Sequence, residues 1–201
     1  VEDAAAFIAA QGRARAHVVG HDWGGTVAWA LAGDRPEWVT SLISITTPHS
    51  AALRQALRGW TQRRRMLYIP VLRLPLLPET ALSLLDGRLL TTLLQRTGLS
   101  PAHAKRDAAH LAQVGASGPL NWYRALDARS ARHARRVGVP VMYIWGDRDV
   151  AFSRDAAVRT EAQVDGPYHF VELQGASHWI PDEHWHDIED LVLEHLTTTA
   201  G

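Results

Sequence analysis

Cysteine is absent from the 201 residues. No disulfide framework and no thiolate metal site can be built, which fits a reducing compartment and makes the cytoplasm the expected location. No apolar run approaches the roughly 20 residues of a membrane-spanning helix. No basic segment leads into an apolar core at the start, so no secretory leader is expected. An excess of either charge is lacking too, with Lys+Arg and Asp+Glu at 21 each. No net field draws the chain to nucleic acid or an anionic membrane, and neither is an expected partner. Repeats and low-complexity tracts are missing. The 46% hydrophobic content suits one globular domain, or a domain carrying an insertion. An initiator Met is missing as well: VEDAAAFIAAQG reads as a helix already under way, so the chain is expected to begin inside a longer protein.

What is present is an alternation of strand and helix signals. Apolar spacing predicts a helix over Val1–Ala10, stopped near Gly12. AHVVG (16–20) reads as a buried strand, Gly24–Ala32 as a helix, and VTSLISIT (39–46) as a second strand. Strand, helix, strand is a βαβ unit and predicts a parallel sheet. From about 48 to 136 the pattern changes to Leu, Ala and Arg with recurring Pro. Helices are predicted over Ala51–Leu67, Pro78–Leu85, Arg88–Arg96, Pro101–Val114 and Leu120–Arg129. Strands resume at Val139–Gly146 and Tyr168–Leu173. A helix capped by Ser153 lies between them, and an amphipathic helix over about Pro181–Leu196 ends the pattern.

The junction VVGHDWGGTVAWAL (18–31) places an aspartate between a strand and a helix, flanked by glycines. One reading is that Asp22 is simply a helix N-cap. The other is a nucleophile elbow, a tight strand-to-helix turn that exposes its central side chain and requires small neighbours, here Gly20, Gly24 and Gly25. The segment resembles the elbow of the α/β-hydrolase superfamily, and within it the epoxide hydrolases with an aspartate nucleophile. Haloalkane dehalogenases share that motif. The resemblance implies an α/β-hydrolase fold, a mostly parallel sheet with helices on both faces. A helical cap (48–136) would interrupt a core formed by 1–47 and 137–201, with the N-terminal strands of the core missing.

The partners follow in the order such a fold uses, nucleophile, acid, histidine. After VMYIWG comes Asp147-Arg148-Asp149; the resemblance selects Asp149 as the acid, with Asp147 the near competitor. After the next strand, GASHW supplies His178 as the base. An aspartate with a reference pKa of about 3.9 is already ionised and attacks an sp³ carbon without a base. The resulting ester then needs water activated by His178, which Asp149 orients. The backbone N–H of Trp23 is the expected oxyanion donor. The second donor of such families, in His-Gly-x-Pro, has no counterpart before Val18.

Epoxide opening also needs an acid for the alkoxide, and the epoxide hydrolases use two cap tyrosines. Leu120-Asn121-Trp122-Tyr123-Arg124 is similar to one such cap segment and points to Tyr123. In RRRMLYIPVLRLPLLPE (63–79), Tyr68 precedes Pro75 by seven residues, as in the other; Pro70 and Arg73 depart from that pattern. Trp23, Trp122 and Trp179 adjoin these candidates and are expected to wall an apolar pocket. Tyr143, Tyr168 and His49 read as structural, and Arg63–Arg65 as a solvated helix face. The i, i+2 spacing of His184 and His186 does not suit a zinc site, and no metal or organic cofactor is expected. The expected reaction is conversion of a small apolar epoxide and water to a vicinal diol. A dehalogenase with the same nucleophile and an inactive, ligand-binding fragment are the alternatives; oligomeric state is left open.

Overall fold

A computed structural model describes residues 1–83, 87–126 and 134–199. Four parallel strands, β1 (Ala16–His21), β2 (Val39–Ile45), β3 (Val141–Gly146) and β4 (Tyr168–Leu173), form one sheet in that order. Helix α1 (Glu2–Ala10) precedes the sheet and α2 (Trp23–Asp34) joins β1 to β2. Between β2 and β3 the described chain is helical: α3 (Ser50–Ala56), α4 (Trp60–Arg65), α5 (Tyr68–Leu72), α6 (Leu77–Ser83), α7 (Arg88–Arg96), α8 (Pro101–Val114) and α9 (Ser117–Ala125). Helix α10 (Arg154–Val158) follows β3; α11 (Ile180–Glu183) and α12 (Trp185–Thr198) follow β4.

Alternation along the strands sorts the core onto the two faces of the sheet. Leu42 and Val141 pack with Trp29 and Leu31 of α2 and Ile8 of α1 on one face. Their neighbours Ile43 and Met142 pack with Ile188 and Val192 of α12 on the other. Covering both faces explains why β2 and β3 read as continuous apolar runs. Strand β1, expected to be buried, lies at the edge of the described sheet and leaves Val19 48% exposed. No helix among the described residues is long and apolar enough to cross a membrane.

Several element boundaries differ from expectation. The helix predicted over Ala51–Leu67 is two helices broken around Gly59, and α5 follows despite Pro70. Pro70 is the third residue of α5, in the first turn, where no intrahelical N–H bond is lost. For the same reason α9 begins at Ser117, upstream of Pro119, rather than at Leu120. The predicted continuations over 84–85 and 127–129 lie outside the described residues. The last predicted helix is α11 and α12, separated at His184.

Register positions the site. Gly20 pairs with Ser44, Ile45 with Ile144, and Gly146 with Leu173. The carboxyl ends of β1, β3 and β4 therefore lie along one rim, where parallel α/β sheets bind ligands. The segments holding Asp22, Asp149 and His178 leave that rim.

Candidate active site

Asp22 sits at the β1–α2 junction with φ 50° and ψ −120°, a backbone conformation that L residues rarely adopt. Its side chain makes no capping bond to α2, so the N-cap reading fails. Two glycines make the turn feasible. A Cβ on Gly20 would lie 2.7 Å from the Gly24 carbonyl carbon, and one on Gly25 would lie 2.7 Å from the Thr47 Cβ. Gly24 has open space instead, so sterics do not require glycine there, contrary to expectation. The corner after β2 braces the turn. Thr47 Oγ1 donates to the Asp22 carbonyl at 2.9 Å, while the Thr47 carbonyl accepts from Ser44 Oγ at 2.7 Å and Trp29 Nε1 at 2.9 Å.

His178 lies between two carboxylates. Its Nδ1 is 3.0 Å from Asp149 Oδ2 and its Nε2 is 3.4 Å from Asp22 Oδ1. Asp149 is buried, and its Oδ1 accepts the backbone N–H groups of Ala151 at 2.6 Å and Phe152 at 3.0 Å. Asp147 is turned elsewhere: its Oδ1 accepts the Gly175 N–H at 2.7 Å, tying together the loops after β3 and β4. Asp149, which the resemblance selects, is thus the aspartate that faces His178, and its competitor Asp147 does not.

The charges are coupled. Burial opposes protonation of His178, but hydrogen bonds and charge from Asp149 and Asp22 outweigh it and push its pKa up to about 10. Burial likewise opposes ionisation of Asp22. The hydrogen bond and charge of His178 and the Trp23 backbone N–H outweigh that and hold its pKa below the usual value. His21, not among the expected site residues, places Nε2 2.9 Å from the His178 carbonyl, and its ring lies 5.0 Å from that of His178, tilted by 46°. Burial and the neighbouring His178 lower its pKa, so His21 is neutral and Nε2–H donates to that carbonyl. Its place beside the apex of the elbow was the one signal available.

Above Asp22 the helices between β2 and β3 close a cavity of about 310 Å³, lined by Asp22, Trp23, Met66, Tyr68, Tyr123 and Phe152 among others. That volume is at the small end for ligand pockets. The Tyr68 and Tyr123 rings meet edge to face at 6.2 Å. Tyr68 as a whole residue is 42% exposed, yet protein crowds its hydroxyl, and the hydroxyl's surroundings govern its proton. Burial raises the pKa of both tyrosines, and the Asp22 charge adds to it, so both remain protonated donors.

Of the three tryptophans expected to wall this cavity, only Trp23 does. Its ring packs edge-on to Tyr123 at 5.1 Å. Trp122 packs on the outer side of Trp23 and lines a separate groove with Val19 and Leu31. Trp179 stands edge-on to His178 at 5.6 Å and donates from Nε1 to Thr97 Oγ1 at 2.9 Å, joining the end of α7 to the histidine loop. Tyr143 is buried, donating to the Thr46 carbonyl at 2.9 Å. His49 is buried at the start of α3: Nδ1 accepts the Ala51 N–H at 3.2 Å, so Nε2–H donates to the Arg135 carbonyl at 3.0 Å. The Arg63–Arg65 run is not uniformly solvated, because Arg65 turns inward and donates to the Asp149 carbonyl.

A strained aspartate at a strand-to-helix elbow, a histidine from a later strand end and an inserted helical layer above them define a class, and residues 1–184 match the family model described as alpha/beta hydrolase fold. The chain belongs to that family. Within it the sequence is epoxide hydrolase-like. It is 36% identical over 192 residues to the AB hydrolase superfamily protein YfhM of Bacillus subtilis, covering 90% of this chain and 66% of that one. It is 29% identical over 207 residues to Epoxide hydrolase 3 of Xenopus tropicalis, covering 98% and 56%. The fold matches the crystal structure of a Bacillus megaterium epoxide hydrolase in complex with an inhibitor, with a TM-score of 0.82 and 22% identity over 98% of this chain and 74% of that one. The chain spans between about half and two thirds of the length of the curated relatives it matches.

Proposed function

We propose that this chain carries the catalytic centre of an epoxide hydrolase acting through an Asp22 ester. The observation that supports this reading best is the pair of protonated tyrosine hydroxyls, Tyr68 and Tyr123, across one small apolar cavity from an ionised Asp22. Asp22 attacks an epoxide carbon, the C–O bond breaks, and the alkoxide takes a proton from a tyrosine. Esterification removes one of the two negative charges that hold the proton on His178, so His178 becomes more acidic at that moment. Through solvent its proton restores the tyrosine, and neutral His178 is left as a base. His178 then takes one proton from water as the hydroxide adds to the ester carbonyl. The tetrahedral oxyanion faces the Trp23 N–H. Collapse releases Asp22 as carboxylate, the departing diol keeps the second proton of that water, and His178 is again protonated. Asp149 keeps Nδ1–H oriented throughout.

The dehalogenase alternative needs free N–H donors for a departing halide. Trp122, the cap tryptophan that would supply one of them, belongs to a different groove, which favours the epoxide reading.

The test is diol formation from a simple aryl epoxide by the parent, Asp22→Asn, and the double variant Tyr68→Phe with Tyr123→Phe. The expected result is diol from the parent and none from either variant at early times. Halide release that survives loss of both tyrosines, without diol from the parent, would overturn the reading in favour of a dehalogenase.

A further inference from the structure

One buried polar side chain takes no part in the steps above. Gln62 is 1% exposed on α4, while its neighbours Arg63 and Arg64 face solvent. Its amide reaches the loop that follows β3: Nε2 donates to the Ala151 carbonyl at 2.8 Å and Oε1 accepts the Ser153 N–H at 2.8 Å. Backbone partners of opposite polarity fix the amide's orientation, since its NH₂ donates and its oxygen accepts. The same loop holds the acid, since the Ala151 and Phe152 N–H groups clamp Asp149 Oδ1. Arg65, one turn on from Gln62, binds the Asp149 carbonyl. Helix α4 therefore grips the acid loop at both ends of the segment 149–153.

We propose that Gln62 is a positioning residue for the ester-hydrolysis half of the reaction, holding the 149–153 loop so that Asp149 orients His178. This rests on the Asp22 ester reading. The connection runs from Gln62 to the loop backbone, from the Ala151 and Phe152 N–H groups to Asp149, and from Asp149 Oδ2 to His178 Nδ1 at 3.0 Å. Asp22 attack on an epoxide does not use that connection; water activation does. A Gln62 that only filled space would be replaced without selective loss by an apolar chain of similar length. A Gln62 that only seated the helices above the site would affect Tyr68, and with it ring opening.

The experiment compares the parent with Gln62→Met, which keeps the volume and loses both bonds. Gln62→Glu keeps the acceptor for Ser153 and loses the donor for Ala151, and it carries the comparison if the Met variant does not fold. Ester formation and decay with an aryl epoxide are followed by intact mass after rapid mixing. The His178 Nδ1 proton resonance is followed by NMR without substrate. The expected result is ester formation within about threefold of the parent, hydrolysis slowed by about 10–100-fold with the ester accumulating, and a shifted or broadened His178 resonance. Equal slowing of both steps would overturn the proposal, as would unchanged hydrolysis. If the parent forms no ester, the Asp22 reading fails on its own. The resonance then decides the positioning claim, a shift supporting it and an unchanged signal refuting it.

Discussion

Replacing either of two adjacent glycines by alanine should have opposite consequences. In Gly25→Ala the new Cβ stands 2.7 Å from Thr47 Cβ and 2.8 Å from Thr47 Oγ1, with Ser44 Oγ at 3.3 Å. Thr47 has to yield by most of an ångström, and its Oγ1 is the donor that holds the Asp22 carbonyl at 2.9 Å. Overpacking of this kind costs about 1–3 kcal/mol. The lost hydrogen bond adds about 0.5–1.5 kcal/mol. Together they lower the melting temperature by roughly 5–15 °C for a chain of this size, since each kcal/mol is worth about 2–4 °C. In Gly24→Ala the Cβ meets nothing within 4 Å on an exposed position in the first turn of α2. Lower entropy of the unfolded chain and better helix propensity should leave stability unchanged or raise it by up to about 1 kcal/mol. Thermal unfolding followed by circular dichroism, parent beside both variants, reads the difference. A Gly24→Ala variant as damaged as Gly25→Ala would refute the account of the elbow as a contact between α2 and the Thr47 corner.

Asp149→Asn should slow turnover on the order of 10³–10⁴-fold, because an amide in that place favours the wrong tautomer of His178. Asp147→Asn keeps the oxygen that accepts the Gly175 N–H and should stay within about twofold; the reverse ranking in steady-state assays would reassign the acid. His49 predicts acid lability. Burial lowers its pKa to about 4, so the folded state resists the proton that the unfolded chain accepts near 6.5. Its contribution is complete above the unfolded value and is lost as pH falls toward about 4, by roughly 3 kcal/mol in all. Denaturation midpoints across that range should fall more steeply for the parent than for His49→Gln, and parallel slopes would contradict the assignment.

The features legible in the sequence share a property: each is local. Gly20-His21-Asp22-Trp23-Gly24-Gly25 announces a strand-to-helix turn within six residues, and the helices Arg88–Arg96 and Pro101–Val114 have the bounds their apolar spacing and flanking residues imply. The strand Tyr168–Leu173 does too. Local rules failed where a breaker sat in a tolerant position, as with Pro70 in the first turn of α5. They failed also where a polar residue turned inward for a distant partner. Gln62 and Arg65 resemble their solvated neighbours in sequence and differ only in touching the loop after β3.

By itself the sequence determined that strand ends would carry Asp22, Asp149 or Asp147, and His178, because strand, turn and helix signals are written in adjacent residues. Only the tertiary structure decided that Asp147 turns to the loop after β4, that Trp23 alone of three tryptophans lines the cavity, and that Gln62 and Arg65 reach the acid loop. Those outcomes depend on backbone and side-chain groups brought together from chain positions many tens of residues apart. No local periodicity encodes which way a side chain turns when its partner lies on another strand or helix.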